Sequence, residues 1–222
     1  MEERKNENNE QRESIYESGI VETKNSRGRI KTLSIIGTIE GHTLLPSGTK
    51  STKYEHVLPE LVAIEEDEET DGLLLLLNTV GGDVEAGLAI AELIAGMKKP
   101  TVSVVLGGSH SIGVPLAVSC KKSFIVPSAT MTVHPMRISG VVIGAEPTFR
   151  YIQRMQDRIV DFIERNSKIT CYEFKKLMLA TDEIANDVGT ILFGEEAQKV
   201  GLIDEVGSLC DAMEALYGMV KL

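Results

Sequence analysis

The stretch LLLLLNTVGGDVEAGLAIAELIAGMK, residues 73–98, decides the fold. Five consecutive leucines, Leu73 to Leu77, fit a strand covered on both faces, as parallel strands are. The run is far short of the ~20 apolar residues a membrane-spanning helix needs. Asn78-Thr-Val-Gly-Gly82 then reads as a turn, and Asp83 to about Lys98 as a helix. Val84, Leu88, Ala91, Ile94 and Met97 recur at helical spacing and predict one buried face. Thr101–Leu106 is a second strand, so a strand–turn–helix–strand unit sits in the middle of the chain. Such units specify the α/β class.

Downstream, Gly107–His110 is expected as a loop and Ser111–Cys120 as a helix, followed by strands at Phe124–Val126 and Thr130–His134. Gly140–Gly144 reads as a glycine-punctuated loop or hairpin. Glu146-Pro147 can open a long helix, because proline at the first helical position loses no hydrogen bond. Phe149, Ile152, Met155, Ile159, Phe162 and Ile163 line one face of that helix through Arg165. Thr170-Cys-Tyr-Glu173 has the form of a capping box. Gly201 should end a short helix that begins near Glu195, and Leu209–Leu216 reads as helical. Upstream, β-branched residues make Gly28 to Ile39 a strand, Thr43 to Thr52 a loop, and Tyr54 to Glu66 a helix. Residues 1–28 hold few groups that could enter a core and are expected to form a flexible polar tail; residues 29–222 form one domain.

The formal net charge of −10 argues against duplex nucleic acid as a partner, which demands a basic face. Three cysteines, Cys120, Cys171 and Cys210, stand far apart with no C-x-x-C, so neither a disulfide framework nor a zinc site is expected. The polar N-terminus lacks the apolar core of a secretory signal. A cytoplasmic protein with no membrane span, metal or cofactor is the expectation.

Two strand–helix junctions carry glycine pairs, Gly81-Gly82 and Gly107-Gly108. Neither gives G-x-G-x-x-G, and G-x-x-x-x-G-K-[ST] is absent, which removes the phosphate-binding readings. The second junction, Gly107-Gly-Ser109-His-Ser111-Ile-Gly113, sets serines at a helix start, where backbone N–H groups favour a developing oxyanion. A serine there also serves as an ordinary N-cap. Nucleophilic chemistry needs a base, and His134, between the apolar Thr130-Met-Thr-Val strand and Pro135, is rigidly placed for it. His42 and His56 lie near polar surface segments, and His110 adjoins the serine.

Taken together these motifs resemble the ClpP-like serine protease family. Asn78-Thr-Val-Gly-Gly-Asp-Val is similar to its N-S-P-G-G-S-V turn, and Gly107-Gly-Ser-His-Ser-Ile-Gly to its G-Q-A-A-S-M-G motif. Met131-Thr-Val-His-Pro resembles M-I-H-Q-P with one residue fewer before the proline. Gly194-Glu-Glu-Ala-Gln-Lys-Val-Gly-Leu-Ile-Asp204 resembles A-E-E-A-x-x-x-G-L-I-D. The matches keep the family's order, and the polar N-terminus and length look closest to its translocation-enhancing branch.

The resemblance implies Ser111 as nucleophile, His134 as general base, and the N–H groups of Gly82 and Ile112 as oxyanion hole; Ser109 falls at a small, non-catalytic position. An ungapped match puts Gly189 where the family carries its aspartate. Asp187, two residues upstream, is the expected acid if the turn holds an insertion; Asp182 and an acid-free site are the alternatives. His110 replaces a small residue and either narrows the site or binds substrate backbone. A serine–lysine dyad drawing on Lys121, Lys122, Lys168 or Lys175 is the variant that His134 disfavours.

The implied fold is a ClpP/crotonase-type α/β spiral of ββα units, with residues 146–165 as a handle-like helix for oligomer contacts or as an ordinary core helix. The implied activity is serine endopeptidase hydrolysis of peptide or unfolded protein within a homo-oligomeric ring. Gly81 and an edge at Gly140, Val141 and Val142 are expected to bind the substrate chain. An ATPase unfoldase partner is left open. A catalytically silent scaffold and an acyl-CoA enzyme of the crotonase type are the rivals.

Overall fold

A run of leucines buried on both faces needs strands on either side and helices above and below. The computed structural model, which describes residues 19–138, 140, 142–182 and 187–220, supplies both. In chain order the first half runs β1 (Ile20–Asn25), β2 (Gly28–Glu40), β3 (Ser51–Lys53), α1 (Tyr54–Glu66), β4 (Gly72–Gly82), α2 (Val84–Gly96) and β5 (Thr101–Ser109). The second half runs α3 (Gly113–Val118), β6 (Lys122–Ile125), β7 (Thr130–Val133), α4 (Ala145–Asn166), α5 (Cys171–Met178), β8 (Thr190–Phe193), α6 (Gly194–Lys199), β9 (Glu205–Val206) and α7 (Leu209–Val220). The result is a mixed α/β single domain. β4 lies within a parallel series β2-β4-β5-β6-β9. β7 pairs with β5 through Gly108 and Thr130 and runs antiparallel to β8.

Alternation along β4 sends its leucines to two cores. Leu73, Leu75 and Leu77 pack with α1, α2, α3 and α4, whereas Leu74 packs with Val102, Val104 and Phe124 beneath Ala212, Leu216 and Tyr217 of α7. Asp83 caps α2, its carboxylate accepting the Ala86 N–H at 2.9 Å. Thr170 and Glu173 form the expected capping box on α5, and Gly201, at φ +79, follows α6.

The structure departs from the sequence reading in several places. Residues 78–82, expected as a turn, continue β4, because β2 pairs with them as far as Gly82, and β3 takes the end of the stretch expected as a loop. β1 lies inside the stretch assigned to a polar tail, of which residues 1–18 lie outside the described residues. Its apolar content is low, but the ladder to β2 satisfies its backbone and buries Ile20. Glu22 bridges Lys31 opposite (2.6 Å) and Arg29 (2.7 Å). β5 runs on through Gly107, Gly108 and Ser109, which were expected as loop, because β4 and β7 offer it partners there. The following helix is shorter than expected and starts only at Gly113. In α4, Met155, Phe162 and Ile163 are buried as their spacing predicts, whereas Phe149 is 65% exposed beyond the reach of the core.

Candidate active site

The site forms where neighbouring strands fall out of register. Leu77 of β4 pairs with Val105 of β5, but Thr79 pairs with Ser109, so β5 bulges between them. This brings the end of β5 against the turn that closes β4. Gly81 and Gly82 adopt φ of +87° and +154°. A Cβ on Gly82 would lie 2.2 Å from the Ile39 carbonyl oxygen, and one on Gly81 would lie 2.8 Å from the Ser111 Cβ. Only glycine lets these backbones approach so closely.

Ser111 is the one non-glycine residue with positive φ among the described residues, at +57°. That conformation costs an L-residue roughly 1–2 kcal/mol and persists only where the surroundings enforce it. They do so through the backbone. His110 N–H donates to the Thr79 carbonyl (3.1 Å), Ser111 N–H to Thr132 (2.9 Å) and Gly113 N–H to His110 (2.9 Å). Among the described residues no backbone carbonyl takes the Ile112 N–H. The strained strand-to-helix turn presents the Ser111 side chain outward, as nucleophile elbows do. Ser109 is fully buried and donates its hydroxyl to the Gly113 carbonyl at 2.7 Å, a structural part.

His134 leaves the end of β7, and its Nδ1 lies 2.7 Å from the Pro135 carbonyl oxygen. A carbonyl can only accept, so Nδ1 carries a proton, and the tautomer this selects leaves the lone pair on Nε2. Gly82, Ser111, Ile112 and His134 line one cavity of about 240 Å³. Val84, Ile159, Phe174 and Met178 give that cavity an apolar wall. The structure therefore brings Gly82, Ser111, Ile112 and His134 together in one cavity. Gly81 stands beside Ser111. Gly140 and Val142 are exposed and belong to no strand, so no edge forms among the described residues there; Val141 lies outside them.

The expected acid does not join the group. Asp187 pairs with Arg137 and accepts its neighbour Val188's N–H at 2.8 Å, while the His134 Nδ1 is taken by Pro135. Asp182 is exposed in a separate groove beside Tyr172 and Lys175. Gly189 instead lies against His134, with φ +136. The lysines of the dyad variant are engaged elsewhere. Lys121 caps the Lys98 carbonyl, Lys122 pairs with Glu205, Lys168 with Asp204 and Lys175 with Asp157.

His110 folds away from the cavity. Its Nδ1 lies 2.8 Å from the Thr132 hydroxyl, and its ring covers Gly108. Burial, and then the neighbouring His134, hold its pKa below the usual imidazole value. Cys120 offers no rival nucleophile, since burial pushes its thiol up to about 12. No group of three or more metal-ligating side chains occurs among the described residues. Sequence reasoning missed the Pro135 carbonyl, the Thr132 carbonyl and Gln156, whose amide oxygen accepts the Met136 N–H at 3.3 Å. Backbone acceptors leave no sequence signal; only Gly189 was flagged, by its place in the ungapped match.

A family model described as Clp protease matches residues 27–209. The chain is 51% identical over 195 residues to the translocation-enhancing protein TepA of Halalkalibacterium halodurans, covering 88% of this chain and 76% of that one. It is 27% identical over 173 residues to the ATP-dependent Clp protease proteolytic subunit of Streptococcus pyogenes, covering 73% and 82%. The same subunit of Lactococcus lactis is 28% identical over 120 residues, covering 50% and 60%. With the family model spanning most of the chain, and 51% of the 195 aligned residues shared with one relative, the chain belongs to the Clp protease family.

Proposed function

We propose that this protein is a serine endopeptidase in which Ser111 attacks the scissile carbonyl and His134 accepts its proton. The Ser111 Oγ forms a bond to the carbonyl carbon as its proton passes to Nε2 of His134. The resulting oxyanion lies toward the Gly82 and Ile112 N–H groups. Collapse expels the amine, which takes the proton back from His134, and leaves an ester on Ser111. Water, deprotonated by the same imidazole, then releases the acid and regenerates the hydroxyl. Each oxyanion donor would be worth about 2.7–4 kcal/mol of transition-state stabilisation. The observation that carries the reading is the left-handed Ser111 sharing one cavity with His134.

The substrate chain would lie along Gly81 and the 140–142 segment, and it would be peptide or unfolded protein. The α/β domain would belong to the ClpP/crotonase spiral and act as a homo-oligomeric ring in the cytoplasm. Exposed Phe149 and Tyr151 on the first turns of α4 suit a handle that contacts a second copy. No described helix is long and apolar enough to cross a membrane. No unfoldase is required for short peptides.

A fluorophosphonate is expected to label the oligomer at Ser111, and Ser111→Ala to lose both labelling and peptide cleavage while keeping its size and fold. Labelling that survives this substitution would remove the assignment. The second reading, a silent ring, is favoured by the absence, among the described residues, of a carboxylate bonded to His134; a folded oligomer that neither labels nor cleaves would establish it.

A further inference from the structure

We infer that His134 is aimed by a main-chain carbonyl, that of Pro135, and that Gln156 holds this carbonyl in place, so the site works as a serine–histidine pair without Asp187 or any other carboxylate of the described residues behind the imidazole. The inference rests on the peptidase reading above. Pro135 C=O and Met136 N–H belong to one planar trans peptide, whose two polar groups point in opposite directions. On one side the carbonyl oxygen lies 2.7 Å from His134 Nδ1. On the other, the Met136 N–H donates to the Gln156 side chain at 3.3 Å. Gln156 reaches this peptide from α4 and also lines the cavity. It fixes the rotation of the peptide plane, and an N–H engaged in this way makes its carbonyl a better acceptor.

The usual place for a carboxylate is closed. Gly189 of the segment leading into β8 lies against His134, where a Cβ would meet the Val133 carbonyl oxygen at 2.4 Å and the His134 Cβ at 2.8 Å. Its φ of +136° excludes other side chains as well. Asp187 is turned instead toward Arg137 and its own turn. The tautomer that a carboxylate would impose is thus imposed by a neutral acceptor. Pro135 and Gln156 are positioning residues: neither touches the reacting atoms, and each acts through the imidazole.

The test compares the full-length parent with Asp187→Asn, Gln156→Leu and Gln156→Glu, reading the rate of fluorophosphonate labelling at Ser111 from about pH 5 to about pH 9, the span over which an imidazole titrates. Asp187→Asn is expected to label within about two-fold of the parent, with its acid limb unmoved, because no carboxylate backs the ring. Gln156→Leu removes the acceptor and is expected to slow labelling about tenfold, the worth of one hydrogen bond. Gln156→Glu keeps an acceptor oxygen and is expected to recover most of that loss. A slowing of about 10³–10⁴-fold in Asp187→Asn, as when a triad loses its acid, would overturn the inference. Equal losses in Gln156→Leu and Gln156→Glu would also overturn it, since a purely structural role would not distinguish them. Should Gln156→Leu fail to fold, the other two variants still decide. A parent that labels while Asp187→Asn does not sinks this inference alone; a parent that never labels sinks the peptidase reading and this inference with it.

Discussion

Ser111 and His134, the proposed nucleophile and base, are held by two different kinds of structure. Ser111 projects from a turn pinned between β4 and β7, with Ser109 fully buried on one side and Ile112 only 2% exposed on the other. His134 stands where order gives way to surface. Val133 is 2% exposed, but Ile138 is 53% exposed and Ile143 98%. The difference teaches that Ser111 and the amides beside it inherit the rigidity of a parallel sheet, whereas His134 depends on a few local contacts. The interior supplies thousands of small dispersion contacts that resist displacement, and a surface segment supplies only a handful.

Four experiments probe that division. The largest expected effect is on the sheet beneath Ser111: Leu77→Ala, at a fully buried position in the middle of β4, should cost about 2–5 kcal/mol in urea unfolding. A cost near zero would mean the sheet is not the rigid half. Gly189→Ala comes next, on the base side. Its Cβ has no room beside Val133 and His134, so a loss of about 1–3 kcal/mol should accompany a marked fall in Ser111 labelling. Wild-type labelling in a folded Gly189→Ala protein would show that His134 tolerates displacement.

The third concerns His110, whose folded pKa is held below its ordinary value by burial and by His134. Its stabilising share is therefore present above the unfolded imidazole value near about 6.5 and is lost as pH falls from there through the folded value, because only the unfolded chain takes up the proton readily. In a Ser111→Ala background, Tm should fall across that window, and His110→Asn should flatten the fall; an identical slope in both proteins would refute it. Smallest is Arg137→Ala. The Arg137–Asp187 pair is 61% and 40% exposed, so its loss should change unfolding by no more than about 1 kcal/mol. A larger change would make this ion pair a true support of the base.

Legibility followed the same division. The register of hydrophobic residues from Leu73 to Met97 was readable because burial imposes a period on the residues that need it. The Thr170–Glu173 box was readable because a cap is a local, side-chain event. β1 was not, since its six residues are held by a neighbouring strand and by Glu22's two partners rather than by their own composition. Asp187 was chosen over Gly189 on side-chain chemistry, whereas the backbone contact to His134 belongs to Gly189.

By itself the sequence determined the α/β class, the β4-turn-α2 unit, and the residue types that can attack, accept a proton and leave amides exposed: Ser111, His134 and the glycine pair before Asp83. Tertiary structure alone decided that Asp187 turns to Arg137, which main-chain carbonyl meets the His134 ring, and where β5 bulges beside a left-handed Ser111. The reason is physical. Periodicity and side-chain identity are written residue by residue, but a backbone carbonyl is the same in every residue, and only the folded arrangement makes one of them a partner.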